Sequence, residues 1–310
     1  MRQSKYWDDF NERAEETVEC LKDGFGQVPV RRVAIFITNR CQMKCKYCNH
    51  EGNRVSMTRE CFEGIIDNYR KSAIIHITGG EPATVRWLYP FIRENGHKYR
   101  FHLNSNALVV PPSEGLQRLK VSLDSSNKEY WNALVGLNAF DTVVKNIQGA
   151  IPKTVVSVTY TMTKENYKRI PEFIDFYNEK FKGAYAVFFS VYKGENEEFA
   201  FDNNNIDEFF SVIKPKMDSM LDEESKALLN ETIGEKFRIM QGVRFPENNS
   251  DKPCYLSLSE RVFAPDGTES ACSHLYRDGI MQSAGLKHEK CKYGCNRRLV
   301  AFNQYVERRI

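Results

Sequence analysis

Two groups of cysteines carry the clearest chemistry in this 310-residue sequence. The first is Cys41-Gln-Met-Lys-Cys45-Lys-Tyr-Cys48, and the second comprises Cys254, Cys272, Cys291 and Cys295. With Cys20 and Cys61 the total is 9, an odd number that excludes complete disulfide pairing within the chain. Clustered thiols in a reducing compartment point instead to metal or iron–sulfur chemistry. Three thiolates at CxxxCxxC spacing can hold three irons of a [4Fe–4S] cube and leave the fourth iron open to an outside ligand. The competing reading is structural zinc, which more often takes CxxC pairs and needs a fourth ligand, for which His50 is the near candidate. Cys20 and Cys61 stand alone in helix-like segments and read as small buried hydrophobes.

The elements that must position the first group alternate between strand and helix. A polar helix from Asp8 to Lys22 comes first, then a break at Gly24, Gly26 and Pro29. Strands are expected at 33–38, 74–78, 100–105, 119–124, 154–163 and 184–192. Helices are expected at 57–71, with Thr58 as N-cap, and at 85–95, 140–150 and 170–182. Such alternation implies a parallel α/β sheet, which places its site at the C-terminal ends of the strands. Cys41 follows strand one there, and Gly79-Gly80-Glu81 follows strand two. A polar loop, GENEEFAFDNNN, and amphipathic helices at 206–221 and 223–240 come next. On this reading 1–192 is the main domain, 193–250 a helical connection and 251–310 a small metal-bound module. A plain extension with chance cysteines is the alternative for the last.

At these residues the sequence resembles the radical S-adenosylmethionine (radical SAM) superfamily. CxxxCxxC after a first strand, with an aromatic residue (Tyr47) before the last cysteine, is that superfamily's signature. Thr78-Gly79-Gly80-Glu81-Pro82 is similar to its GGE motif. Leu103-Asn104-Ser105-Asn106-Ala107 is similar to its Thr-Asn-Gly stretch with both flanking residues changed. Ser122-Leu123-Asp124 matches the Ser-Leu-Asp of many members. The resemblance covers about residues 31–192 and implies an α/β fold, a partial (β/α)6 TIM-like barrel. It implies that Cys41, Cys45 and Cys48 hold a [4Fe–4S] cluster whose open iron takes the amino and carboxylate groups of S-adenosylmethionine. Gly79, Gly80 and Glu81 would receive the amino group, and Tyr47 would lie against the adenine. Ser122, Asn106 and Asp124 would contact ribose or carboxylate. Ser122 and Asp124 also read as polar strand-end residues capping the next helix. Many relatives carry an arginine for the carboxylate about a dozen residues past this serine. Asn132-Ala133-Leu134-Val135-Gly136 has none, so Ser122 or a lysine from elsewhere is expected in that role. A one-electron donor such as flavodoxin or ferredoxin would start cleavage to a 5′-deoxyadenosyl radical, which takes a hydrogen atom from a substrate carbon.

The second group is similar to the auxiliary-cluster modules called SPASM and twitch. Cys254-x12-Gly267-x4-Cys272 has their spacing, and Phe263-Ala-Pro-Asp-Gly-Thr268 reads as a hairpin turn that brings Cys254 and Cys272 together. Cys291 and Cys295 supply two more thiolates, and four cysteines match full ligation of a second, auxiliary [4Fe–4S] cluster, as in the shorter twitch version. Zinc again fits four cysteines. His274 reads as a hydrogen-bonding neighbour.

An auxiliary cluster fits a net two-electron oxidation. Epimerisation would need a free thiol as hydrogen donor, and Cys20 and Cys61 are the unassigned ones. The expected substrate is a small polar metabolite of sugar, aminocyclitol or nucleotide type. The alternative is a ribosomal peptide, crosslinked or epimerised, though peptide-modifying relatives often begin with a leader-binding domain longer than the 40 residues before Cys41. Relatives acting on a nucleotide precursor of molybdenum cofactor usually end in Gly-Gly, whereas this chain ends Glu307-Arg308-Arg309-Ile310. A non-catalytic zinc module would be colourless where a cluster protein is brown. Composition is that of a soluble globular protein, with 41% hydrophobic and 27% charged residues. A net charge of +3 is too balanced to signal a nucleic-acid partner, for which Arg297-Arg298 and Arg308-Arg309 are the hints. The polar opening MRQSKYWDDF reads as no signal peptide, and no apolar run approaches the ~20 residues of a membrane span. A cytoplasmic location is therefore expected.

Overall fold

The structure of the chain is a computed structural model that describes residues 8–24, 28–48, 54–69, 71–192, 194, 196–240, 253–270, 272–273, 276 and 297–310. At its centre lies one sheet in the order β6-β5-β4-β3-β2-β1-β7-β8. The strands β1 (Arg32–Thr38), β2 (Ile74–Gly79), β3 (Arg100–Ser105), β4 (Leu116–Ser122), β5 (Val155–Met162) and β6 (Ala186–Val191) pair in parallel, each with the next. Parallel neighbours need crossovers, supplied by α2 (Arg59–Asp67), α3 (Leu88–Asn95), the pair α4 (Lys128–Val135) and α5 (Phe140–Ala150), and α6 (Ile170–Lys180), while residues 106–115 join β3 to β4 without a helix. This is the partial TIM-like barrel implied by the resemblance.

Alternation along each strand decides which side chains meet the helices. Ile35, Ile77, Phe101, Leu103, Leu119, Val121 and Val158 belong to the main apolar core. Each such burial contributes about 1.5–3 kcal/mol. The intervening residues, among them Arg32, His76, His102, Arg118, Lys120 and Ser157, lie in register on the opposite, lumen face.

Several local expectations hold and several shift. Thr58 caps α2, its side chain accepting from Cys61 N at 3.2 Å. The fourth strand starts at Leu116 rather than at 119, because polar Gln117 and Arg118 break the apolar alternation without breaking the pairing. The helix α4 was not among the sequence-based elements; Asn127 starts it, accepting from Tyr130 N at 2.8 Å, and Gly136 ends it at φ +69°. The expected helix at 206–221 is α7 (Asn203–Glu208), a π-helical stretch Phe209–Ile213 and α8 (Lys214–Met220). Pro215 has no N–H to donate, which is the physical reason for a break in the regular ladder here.

Both edges of the six-stranded unit are covered. On β6, Ser225 of α9 (Glu223–Met240) accepts from Val187 N at 3.0 Å, and Leu228 packs on Ala186 and Phe188. On β1, the strand β7 (Glu260–Phe263) pairs in parallel and β8 (Glu269–Ser270) follows antiparallel. Their turn forms as the Pro-Asp-Gly signal suggests: Gly267 adopts φ +86° and donates to Ala264 O at 2.9 Å. The helix α1 (Asp8–Lys22) packs on α10 (Leu256–Ser259) and α11 (Arg297–Glu307) through Val18, Leu256, Phe302 and Val306. Buried Arg13 reaches Ser259 Oγ at 3.0 Å and Glu260 at 3.5 Å, while Arg32 donates to Glu260 at 2.8 Å.

Candidate cofactor site at the mouth of the barrel

The cysteine loop leaves β1 through a tightly bonded exit. Thr38 Oγ1 accepts from Arg40 N at 3.0 Å, and Asn39 N donates to Val55 O at 2.9 Å. The exit of β2 presses on this one: Gly80 N donates to Thr38 O and Glu81 N to Arg40 O, each at 2.7 Å. A Cβ at Gly79 would lie 2.4 Å from Thr38 O, and one at Gly80 would lie 2.3 Å from Arg40 O. Two glycines are therefore a steric requirement of bringing these two backbones together beside Cys41.

The loop is also held from the far side of the mouth. Lys44 N donates to Val135 O at 2.9 Å and Lys46 N to Leu134 O at 3.0 Å. The stretch that lacks an arginine thus anchors the cysteine loop through its backbone, while Asn132 Oδ1 accepts from Ala139 N at 3.0 Å and starts the next helix. Tyr47 turns inward, donates to Asp124 Oδ2, and meets Tyr192 and Phe199 edge-on with centroids 6.4 and 6.2 Å away.

Cys41 and Cys48 are exposed and Cys45 is half-buried, with Cys48 N donating to Cys45 O at 3.0 Å. Burial first, then the charges of Asp124, Cys48 and Cys41, pushes the Cys45 thiol up to about 12. Burial likewise raises Cys41, against hydrogen bonds from Met43 N and Asn106. Burial rather than mutual repulsion does most of this, and three sulfur donors on one short loop suit a positively charged iron core. Asn106 Nδ2 lies 3.8 Å from Cys41 Sγ.

Glu81 is 1% exposed. Its Oε1 accepts from Ala83 N at 3.0 Å and Ser105 Oγ at 2.9 Å, and its Oε2 accepts from Asn106 N at 2.7 Å. Burial raises its carboxyl, opposed by these bonds. The carboxylate thus ties the ends of β2 and β3 together and presents Asn106. Asp124 is used similarly. It is buried, accepts from Thr161 N at 2.5 Å as well as from Tyr47, and burial pushes it up to about 6 against those bonds. Ser122, by contrast, is exposed at the end of β4. Sequence reasoning missed Ser105, Thr161 and the Leu134–Val135 carbonyls. Each acts on a residue distant in sequence, and a polar strand end was the signal on offer.

The second cysteine group is described in part. Cys254 O accepts from Ser257 Oγ at 2.7 Å at the start of α10, and Cys272 lies just past β8. The Val262–Ser270 register runs both toward the N-terminal end of β7. Cys291, Cys295, His274 and His50 lie outside the described residues. Among the described residues no helix is long and apolar enough to cross a membrane.

Residues 35–177 match the Radical SAM superfamily. A probable GTP 3',8-cyclase of Methanocaldococcus jannaschii is 28% identical over 218 residues, which are 65% of this chain and 72% of that protein. A probable GTP 3',8-cyclase of Methanopyrus kandleri is 30% identical over 176 residues, 50% of this chain and 55% of that one. The chain spans about half the length of further curated relatives with that name. Among solved structures, Streptococcus suis SuiB bound to S-adenosylmethionine aligns with a TM-score of 0.61 at 15% identity, over 89% of this chain and 67% of that one. Native anSMEcpe with bound AdoMet aligns with a TM-score of 0.58 at 15% identity, over 89% and 83%. Both are likenesses of fold.

Proposed function

We propose that this chain, whose residues 35–177 match the Radical SAM superfamily, is a radical SAM enzyme that removes a hydrogen atom from a small polar metabolite bound in the lumen of its barrel. The observation that carries the reading is the three-cysteine loop, clamped at the mouth between the Gly79-Gly80 exit and the Leu134–Val135 carbonyls. When bound there, the [4Fe–4S] cluster and S-adenosylmethionine supply a 5′-deoxyadenosyl radical. Cys41, Cys45 and Cys48 hold the cluster. The Gly79-Gly80 backbone, with Glu81 behind it, meets the amino group of S-adenosylmethionine, while Asn106 and exposed Ser122 meet its ribose or carboxylate. Tyr47 and Asp124 set the pose of the loop and form the wall beside the adenine. A one-electron donor of flavodoxin or ferredoxin type starts the reaction. Cys254, Cys272, Cys291 and Cys295 would hold an auxiliary cluster, which would supply a one-electron acceptor for a net oxidation. Relatives named for a reaction on GTP favour a metabolite of nucleotide type over a peptide.

The test is anaerobic reconstitution followed by mass-spectrometric detection of 5′-deoxyadenosine. The parent chain is expected to bind iron and sulfide and release 5′-deoxyadenosine. The triple variant Cys41→Ala, Cys45→Ala, Cys48→Ala is expected to release none above background. Undiminished release by that variant, or a parent that purifies with zinc and no sulfide, overturns the proposal.

A further inference from the structure

The amide of Asn106 is held in one orientation. Its backbone is tied down first: Asn106 N donates to Glu81 Oε2 at 2.7 Å, and the next two carbonyls, of Ala107 and Leu108, accept from Asn146 Nδ2 at 2.9 and 3.2 Å. Asn106 Oδ1 then accepts from Leu108 N at 3.0 Å and from Gln42 Nε2 at 3.4 Å. Those two bonds fix which end of the amide is oxygen, since exchanging oxygen and nitrogen would set donor against donor. Nδ2 is left toward Cys41 Sγ, 3.8 Å away, a reach that fits the larger sulfur atom. Among the described residues Asn106 is the one side chain that donates to the sulfur of Cys41, Cys45 or Cys48.

A donor fixed on a cluster ligand has an electronic consequence. Reducing an iron–sulfur cluster adds negative charge that its sulfurs share. An N–H aimed at a ligand sulfur favours the reduced form over the oxidised one and so raises the reduction potential. Water beside exposed Cys41 would have to turn to do this. The Asn106 amide is already turned, by bonds to the end of β2, to the cysteine loop and to its own turn.

We infer that Asn106 raises the reduction potential of the [4Fe–4S] cluster by donating to Cys41 Sγ, with Leu108 N and Gln42 as the groups that orient it. The inference rests on Cys41, Cys45 and Cys48 holding that cluster, as proposed above, and it gives Asn106 a role that does not need S-adenosylmethionine. Nδ2 carries two hydrogens, so one serves the sulfur and the other stays available to the ribose or carboxylate. A higher potential lessens the reducing power that the one-electron donor must supply.

The reconstituted full chain is titrated electrochemically without S-adenosylmethionine, and the reduced cluster is followed by electron paramagnetic resonance. Iron and sulfide are measured first. Asn106→Leu removes the donor without adding charge, and its midpoint is expected at a more negative potential than the parent's. Asn106→Ser is neutral too, keeps a hydroxyl acceptor for Leu108 N and is too short to reach Cys41, so its midpoint is expected to fall as well. The serine variant preserves the turn and keeps the test decisive if Asn106→Leu does not fold. Midpoints equal to the parent's, or more positive, overturn the inference; a residue that serves S-adenosylmethionine alone would give equal ones. A parent that takes up no iron and sulfide sinks the cluster reading and this inference together. A parent with its cluster, and variants whose midpoint stays in place, sink this inference alone.

Discussion

The two faces of the sheet are built from alternate residues of the same strands and have opposite characters. On β3, Phe101 and Leu103 are buried in the main core, whereas Arg100, His102 and Asn104 lie on the lumen side. On β4, Leu119 and Val121 face the helices while Arg118, Lys120 and Ser122 do not. The helix face has to be apolar and close-packed to hold the fold. The lumen face is released from that demand, and it concentrates cations, imidazoles and unpaired hydroxyls at a cost to stability. A strand of period two can thus serve packing with one set of residues and ligand binding with the other.

The largest expected effect tests the packing side. Phe101 is fully buried and meets Phe91 and Tyr99 with centroids 6.1 and 5.7 Å away. Phe101→Ala should lower the unfolding free energy by about 3–5 kcal/mol in urea denaturation. A loss under about 1 kcal/mol would erase the contrast between the faces.

A smaller effect tests the lumen side. His102 is faced by His76 from β2, Arg118 from β4 and Arg32 from β1, with Arg100 on its own strand. Burial and these cations hold its folded value at about 3, below the ~6.5 of an unfolded histidine. The unfolded chain binds the extra proton between those values, so stability is fully present above pH ~6.5 and is lost as pH falls toward 3. Between pH 7 and pH 5 this amounts to about 2 kcal/mol. His102→Asn should therefore be less acid-sensitive than the parent by about that amount, with the contribution of His76, which burial and Arg32 also hold down, remaining. An unchanged pH dependence would show that the lumen is open to water and does not hold His102 neutral.

The same division explains what could be read in advance. Strands and helices announced themselves through the helix-facing residues, and the cysteine loop and Gly79-Gly80 through their spacing at strand ends. The lumen did not, because Arg118 or Lys120 in one dimension looks like any surface charge; the start of β4 was misread for that reason. Glu81 and Asp124 were legible as site residues, but their bonds to Ser105, Asn106, Tyr47 and Thr161 join different strand ends. The short helix α4 has its apolar residues Trp131, Leu134 and Val135 at helical spacing, and its service to the cysteine loop is a tertiary contact that no periodicity encodes. Likewise the turn of the β7–β8 hairpin was readable, but its attachment to β1 was not.

The strand ends belong to neither face, and Ala107 shows what governs them. It stands where the resembling stretch has glycine, and it adopts φ +54°, the only positive φ among described residues other than glycine. That backbone bends the chain so that Asn106 faces Cys41 and Ala107 O accepts from Asn146 at 2.9 Å. Left-handed geometry costs an alanine about 1–2 kcal/mol, but a glycine here would lose a fully buried methyl and gain unfolded-state freedom of about 0.4–1 kcal/mol. These contributions nearly cancel, so Ala107→Gly should change stability by about 0.5 kcal/mol or less and leave iron content after reconstitution unaltered. Ala107→Val adds a β-branch in the same backbone and should lose more than Ala107→Gly in either direction of that small change. A glycine variant destabilised by more than about 1 kcal/mol would mean that the methyl packs the mouth as Phe101 packs the core. The boundary between the two faces would then lie beyond the ends of the strands.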